Sequence, residues 1–303
     1  MNRPSGPNFF IVGAPKAGTT ALSEYLGDHP AILVSNPKEP FFFCPEFTGL
    51  PGPKHLEEYL DLFSAAGEDT QAIGEASAMY LYSKEAAARI AAFRPHAKIL
   101  IMLRNPVEIA YSFHSQLLHA SSETEPDFAR AWALQEDRAA GRHLPPHVRE
   151  ASFLQYHKVA CLGEQVDRYL QIFPREQIRF ILFDRFVRET QAVYRETLEF
   201  LGVADDGRTE FPPANRNKVN RNQRLALLLN RPPPWASALV RKAKRALGLQ
   251  NRGLLTPLRR LNVTVEARRP LPVGLRKRMV QGFSDDIERL SELTKLELDH
   301  WMA

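Results

Sequence analysis

Asn8-Phe9-Phe10-Ile11-Val12-Gly13, continued by Ala14-Pro15-Lys16-Ala17-Gly18-Thr19-Thr20, is the stretch on which the fold turns. Its first half is apolar without alternation, as a strand buried on both faces requires. The second half is a tight turn bracketed by Gly13 and Gly18, opening a helical pattern that runs to about Gly27. Outward from there, apolar runs alternate with helical patterns. Ala72–Ile73, Lys98–Leu103 and Gln177–Phe183 read as strands. Asn105-Pro106 supplies an N-cap and a proline at the first helical position, so a helix is predicted from there to about Leu118. Phe153–Phe173 carries Tyr156, Val159, Val166, Leu170 and Phe173 near a 3.6 period and predicts one long amphipathic helix. Thr190–Leu201 predicts another, stopped by Gly202, and Leu275–Trp301 closes the chain as a helix. Strands alternating with helices predict an α/β fold with a parallel sheet.

The chain has 303 residues, 44% hydrophobic and 25% charged, which suits one large domain. We expect an α/β core over 8–210 and a basic, loop-rich and mainly helical part over 211–303. The apolar runs, such as Ile99–Leu103 and Phe180–Phe183, fall far short of the ~18 residues a membrane span needs. Met1–Asn8 holds no apolar signal core, so no stable membrane anchor is expected. Cys44 and Cys161 are the only cysteines, which excludes a disulfide scaffold. Net charge is +5, but its distribution is uneven. Between Arg208 and Arg278 there are 18 Lys/Arg against Glu210 and Glu266, so this stretch carries +16 and the rest of the chain −11. A basic last third points to an anionic ligand, acceptor or surface.

A strand, a glycine-bracketed turn and a helix N-terminus together cradle an anion with backbone N–H groups. The turn is similar to the nucleotide-triphosphate loop G-x-x-x-x-G-K-[ST], hence a P-loop NTPase-like sheet. Thr19, however, stands at the lysine position, and the lysine comes earlier, as Lys16. There it would lie over the mouth of the loop, near a group leaving from the cradled phosphate. A kinase also needs an acidic residue at a strand end to hold Mg²⁺. The best candidate strand, Lys98–Leu103, ends instead in Arg104, which grips phosphate and cannot hold a cation. Ser112, two turns along the next helix, can donate to the same oxygens. Two phosphate-reading elements without a metal carboxylate suit a ligand with two separate phosphates.

With those residues in place, Phe10–Thr20 resembles the 5′-phosphosulfate loop of sulfotransferases that use 3′-phosphoadenosine 5′-phosphosulfate (PAPS). Leu103-Arg104-Asn105-Pro106 through Ser112 resembles their 3′-phosphate motif. Asp28-His29-Pro30, Lys38-Glu39-Pro40-Phe41-Phe42-Phe43, Gly74-Glu75-Ala76-Ser77 and Phe200-Leu201-Gly202-Val203 are similar, in order, to the heparan sulfate N- and 3-O-sulfotransferase branch and its bacterial relatives. The resemblance implies that Ala14, Pro15, Lys16, Ala17, Gly18, Thr19 and Thr20 hold the 5′-phosphate and Arg104 and Ser112 the 3′-phosphate. It also implies that Lys16 stabilises the leaving oxygen and that Glu39 is the base. Arg216, Lys218 and Arg221 stand where relatives carry a basic segment closing over the nucleotide. Lys38 and Glu75 are candidates on the acceptor side, Glu75 to orient Lys16 or assist the base. Where those relatives carry lysine after this glutamate, Ala76 stands here. No metal is required in this chemistry.

The expected activity is sulfuryl transfer from PAPS to a hydroxyl or amine of a small-molecule or glycan acceptor. Cytoplasmic, bacterial placement is expected with it. The alternative enzyme is a P-loop small-molecule kinase. A nucleic-acid or membrane binder would leave Lys16 and Arg104 unexplained, and no aromatic-interleaved basic strand supports one. Histidine competes with Glu39 as base, but His29 reads as a turn residue and His114 and His119 as surface or structural residues. The basic amphipathic run Arg241–Leu249 reads as a helix packed by its apolar side, with an anionic membrane face or an acidic glycan as the alternative partner.

Overall fold

At the centre of the sheet lies β1 (Phe9–Gly13), in a computed structural model that describes residues 6–212, 218–220, 225, 263–265 and 268–302. Phe9, Phe10, Ile11 and Val12 are all fully buried, which explains a run without polar alternation. The chain continues through α1 (Thr19–Gly27), β2 (Ile32–Val34), α2 (Leu56–Asp61), β3 (Ala72–Ala76), α3 (Ala86–Phe93) and β4 (Lys98–Leu103). Next come α4 (Pro106–His119), α5 (Phe128–Ala133), α6 (Gln135–Ala139), α7 (Tyr156–Ala160) and α8 (Leu162–Leu170). Then follow β5 (Ile178–Leu182), α9 (Phe183–Arg188), α10 (Thr190–Leu201), β6 (Lys218–Asn220), β7 (Val263–Val265) and α11 (Val273–Thr294).

The five-stranded sheet runs β2-β3-β1-β4-β5, every pair parallel. The loops after β1 and β4 therefore leave neighbouring strands at the same sheet edge, where ligands of open α/β sheets bind. α4 starts as its sequence requires: the Asn105 side chain accepts from Val107 N at 2.9 Å, and Pro106 follows at the first helical position. α10 stops at Gly202, whose φ of 75° is left-handed, with Val203 N donating to Leu198 O at 3.0 Å.

The long helix expected over Phe153–Phe173 is broken. A 3-10 turn (Ala151–Leu154) precedes α7, and the backbone kinks at Cys161 before α8 begins. The break is stabilised from far away, by Asp286 of α11. Its carboxylate accepts from Gly163 N at 2.9 Å and Glu164 N at 3.1 Å, capping α8. A Cβ on Gly163 would stand 2.6 Å from Asp286 O, so only glycine allows the two helices this close. Leu275, Met279, Phe283, Ile287 and Leu290 bury one stripe of α11. The helix ends before Trp301: Lys295 turns left-handed, with φ 60°, and a separate 3-10 turn (Asp299–Trp301) follows. Asn105 Nδ2 donates to Trp301 O at 3.2 Å, tying the chain's last turn to the entrance of α4.

β6 and β7 form a separate antiparallel pair, Val219 opposite Thr264, with β6 running alongside α4. Most of the basic 211–303 part, including Arg241–Leu249, lies outside the described residues. No described helix is long and apolar enough to cross a membrane.

Candidate active site

The loop after β1 is shaped by two glycines. At Gly13 (φ 154°) a Cβ would fall 2.6 Å from Leu81 Cβ and 2.9 Å from Ala78 O, and Ala14 N donates to Met102 O at 2.7 Å. Gly18, left-handed at φ 91°, is the N-cap of α1 and offers no side chain to its first turn. The amides at Thr19 and Thr20 therefore open onto the loop without a capping oxygen, which suits an anion. Ala14, Pro15, Ala17 and Thr19 are buried in this turn, and Lys16 stands above it with a left-handed φ of 65°. That conformation is uncommon for a residue with a side chain.

Arg104, at the end of β4, comes to the same place. Its Nη1 donates to Lys16 O at 2.9 Å, and its guanidinium lies 4.5 Å from the centre of the Phe183 ring. Burial, then the charges of Arg268 and Arg104, push the Lys16 ammonium down to about 8, while Glu39 pulls the other way. Lys16, Arg104 and Arg268 thus converge. Arg268 Nε, and Ser112 Oγ on the second turn of α4, are buried with no hydrogen-bond partner among the described residues. Cations pressed together beside unpaired donors fit a phosphate ligand.

Glu39 approaches from the other side. Its φ of 61° is also left-handed, its N donates to Ala76 O at 3.1 Å, and its Oε1 accepts from Lys38 Nζ at 3.2 Å. Anchored to the end of β3, it is close enough to Lys16 to act on its charge. The structure therefore brings Lys16, Lys38, Glu39 and Arg104 to one mouth.

Glu75 does not join them. It is wholly buried, receives hydrogen bonds from Tyr59 Oη and, at 2.7 Å, from Ser77 Oγ, and burial raises its carboxyl to about 7. Phe42, Phe43, Phe63 and Phe93 surround Tyr59. Among the described hydrogen bonds, those to its carboxylate come from Tyr59 and Ser77 and none joins it to Lys16. Because β3 is buried along its whole length, the sequence pattern left the facing of this residue open.

Both ring nitrogens of His29 are taken by backbone, Nε2 by Ala204 O at 3.0 Å and Nδ1 by Ala31 N at 3.1 Å. His114 is buried against Glu125 O at 2.8 Å. Arg216 and Arg221 lie outside the described residues; Lys218 sits in β6, opposite Val265. Arg268, shortly after β7, is the residue that sequence reasoning missed. Its signal was present only diffusely, as one of the many basic residues between Arg208 and Arg278.

The Sulfotransferase domain family model matches residues 6–210. The chain belongs to that family. Its sequence is 30% identical over 204 residues to the human bifunctional heparan sulfate N-deacetylase/N-sulfotransferase 3, an alignment covering 65% of this chain and 22% of that protein. The Caenorhabditis briggsae bifunctional heparan sulfate N-deacetylase/N-sulfotransferase 1 is 30% identical over 217 residues, 70% of this chain and 24% of its own. The chain thus spans about a quarter or less of these relatives. A sulfotransferase crystal structure from Alicyclobacillus acidocaldarius superposes with a TM-score of 0.72 at 29% identity, over 98% of this chain and 99% of that one. Membership of this family does not favour the kinase alternative.

Proposed function

We propose that the protein transfers the sulfuryl group of PAPS to a hydroxyl or amine of a carbohydrate or glycoconjugate. The observation that carries this reading is the convergence of Lys16, Arg104 and Arg268 at an uncapped loop, where β4 ends in arginine instead of a metal-binding acid. PAPS supplies an activated S–O bond. The acceptor oxygen or nitrogen attacks sulfur in line, the bond from sulfur to the bridging oxygen breaks, and that oxygen departs on the 5′-phosphate of 3′-phosphoadenosine 5′-phosphate (PAP). Lys16 stabilises the charge on the departing oxygen, the amides at Thr19 and Thr20 hold the 5′-phosphate, and Arg104 and Ser112 hold the 3′-phosphate. Glu39 takes the acceptor's proton, with Lys38 keeping its carboxylate in place. Arg216, Lys218 and Arg221 remain candidates for closing over the nucleotide. The glycan acceptor is supported by the heparan sulfate relatives, and a cytoplasmic, bacterial setting by the bacterial structural relative and by two unpaired cysteines. Incubation with PAPS and pools of glycan and small-molecule acceptors, read by mass spectrometry, should give an added sulfo group and PAP. Phosphorylated products from ATP and Mg²⁺, with none from PAPS, would contradict it.

A further inference from the structure

We propose that Glu108 and Tyr111, one turn apart on α4, are positioning residues that hold the segment 268–276 so that the Arg268 guanidinium stands beside Arg104 and Lys16. The proposal rests on the nucleotide reading of that cluster and adds what assembles it. Arg104 and Ser112 come from the start of α4 and its second turn, but Arg268 arrives from the far end of the chain. It needs a dock, and the same helix provides one. Glu108 Oε1 accepts from Arg276 Nη1 at 3.1 Å, which pins the first turn of α11. Glu108 Oε2 lies 3.8 Å from Arg104 Nη2. Tyr111 Oη donates to Arg269 O at 2.9 Å, and the Arg268 guanidinium lies over the Tyr111 ring, 6.0 Å from its centre. Spacing of three residues puts Glu108 and Tyr111 on one face of α4, so both contacts fix the same segment. Glu108 also places one negative charge among Arg104, Arg268 and Arg276, which would otherwise repel one another.

The sign of the effect makes this testable. Through-space electrostatics alone says that removing a negative charge beside a phosphate site tightens binding of PAP; loss of positioning says that it weakens binding. Titration calorimetry of the full chain with PAP, at physiological ionic strength, reads the sign directly. Glu108→Gln should weaken PAP about tenfold. Arg276→Met should weaken it to the same degree, and the double variant no further. Tyr111→Leu should weaken PAP more than Tyr111→Phe, which keeps the ring under Arg268. In turnover the loss should fall on KM for PAPS, with kcat at saturating PAPS within about twofold, and Glu108→Asp should recover part of it. Equal or tighter PAP binding by Glu108→Gln while the wild type binds normally, or additive losses with Arg276→Met, would overturn this proposal alone. A lowered unfolding midpoint with unchanged PAP affinity would also overturn it. Failure of the wild type to bind PAP would overturn the nucleotide reading as well.

Discussion

Arg138 and Lys16 are both cations withdrawn from solvent, and their surroundings differ in one respect. Arg138 is saturated: Nη1 and Nη2 donate to the two oxygens of Glu123 at 2.6 and 2.9 Å, and Nε reaches His143 O at 3.4 Å. Glu123 is saturated in turn by Tyr156 Oη and by the amides of Thr124 and Glu125. Burial is the largest influence and works against its charge, but the hydrogen bonds from Arg138, the Glu125 amide and Tyr156, with the Arg138 charge, together outweigh it and hold the carboxyl below the usual range. Lys16 instead faces Arg268 and Arg104, and Arg268 Nε and Ser112 Oγ have no partner among the described residues. A buried charge with every partner in place holds architecture together; cations massed beside unpaired donors are completed by a ligand.

The sharpest way to break that comparison is to remove each cation. Lys16→Ala should lower kcat at least about 10³-fold while leaving the unfolding midpoint near that of wild type. Near-normal turnover would remove the leaving-group role. Arg138→Leu should do the reverse, costing about 3–5 kcal/mol in chemical denaturation because Glu123 is left buried without its partner. A loss under about 1 kcal/mol would show that the Glu123–Arg138 pair is not architectural. Glu39→Gln separates chemistry from binding: kcat should fall about 10²-fold with PAP affinity held, and equal loss of both would count against a base.

The Lys16 value of about 8 gives a pH test. Its ammonium is needed to meet the departing oxygen, so kcat/KM for PAPS should fall tenfold per pH unit above about 8. A flat profile up to pH 10 would contradict it. The smallest effect is at Glu75. Its folded carboxyl, near 7, lies above its unfolded value of 4.5, so the folded state holds the proton longer. Stability from this group is complete below about 4.5 and is lost as pH rises through 7. The unfolding midpoint should therefore decline by a few degrees more across that window in wild type than in Glu75→Gln. Identical slopes would show that Glu75 is not held protonated by burial.

The parts of the site legible in sequence are those built by neighbours in the chain. Gly13, Gly18 and Lys16 belong to one turn, and Arg104, Asn105 and Pro106 to one strand end and helix start, so local rules suffice. The helix end at Gly202 was legible for the same reason. What escaped the sequence depends on groups that meet only after folding. The break before α8 rests on Asp286, the burial of Glu75 on Tyr59 and Ser77, and the place of Arg268 on Glu108 and Tyr111. None of these partners is near its counterpart in the chain, except Ser77, and periodicity carries no information about them.

The most direct test of the central claim is a crystal structure of the full chain with PAP. The account predicts the 5′-phosphate on the amides at Thr19 and Thr20 under Lys16, and the 3′-phosphate between Arg104, Ser112 and Arg268. PAP bound elsewhere, or a magnesium ion bridging its oxygens at this loop, would contradict it.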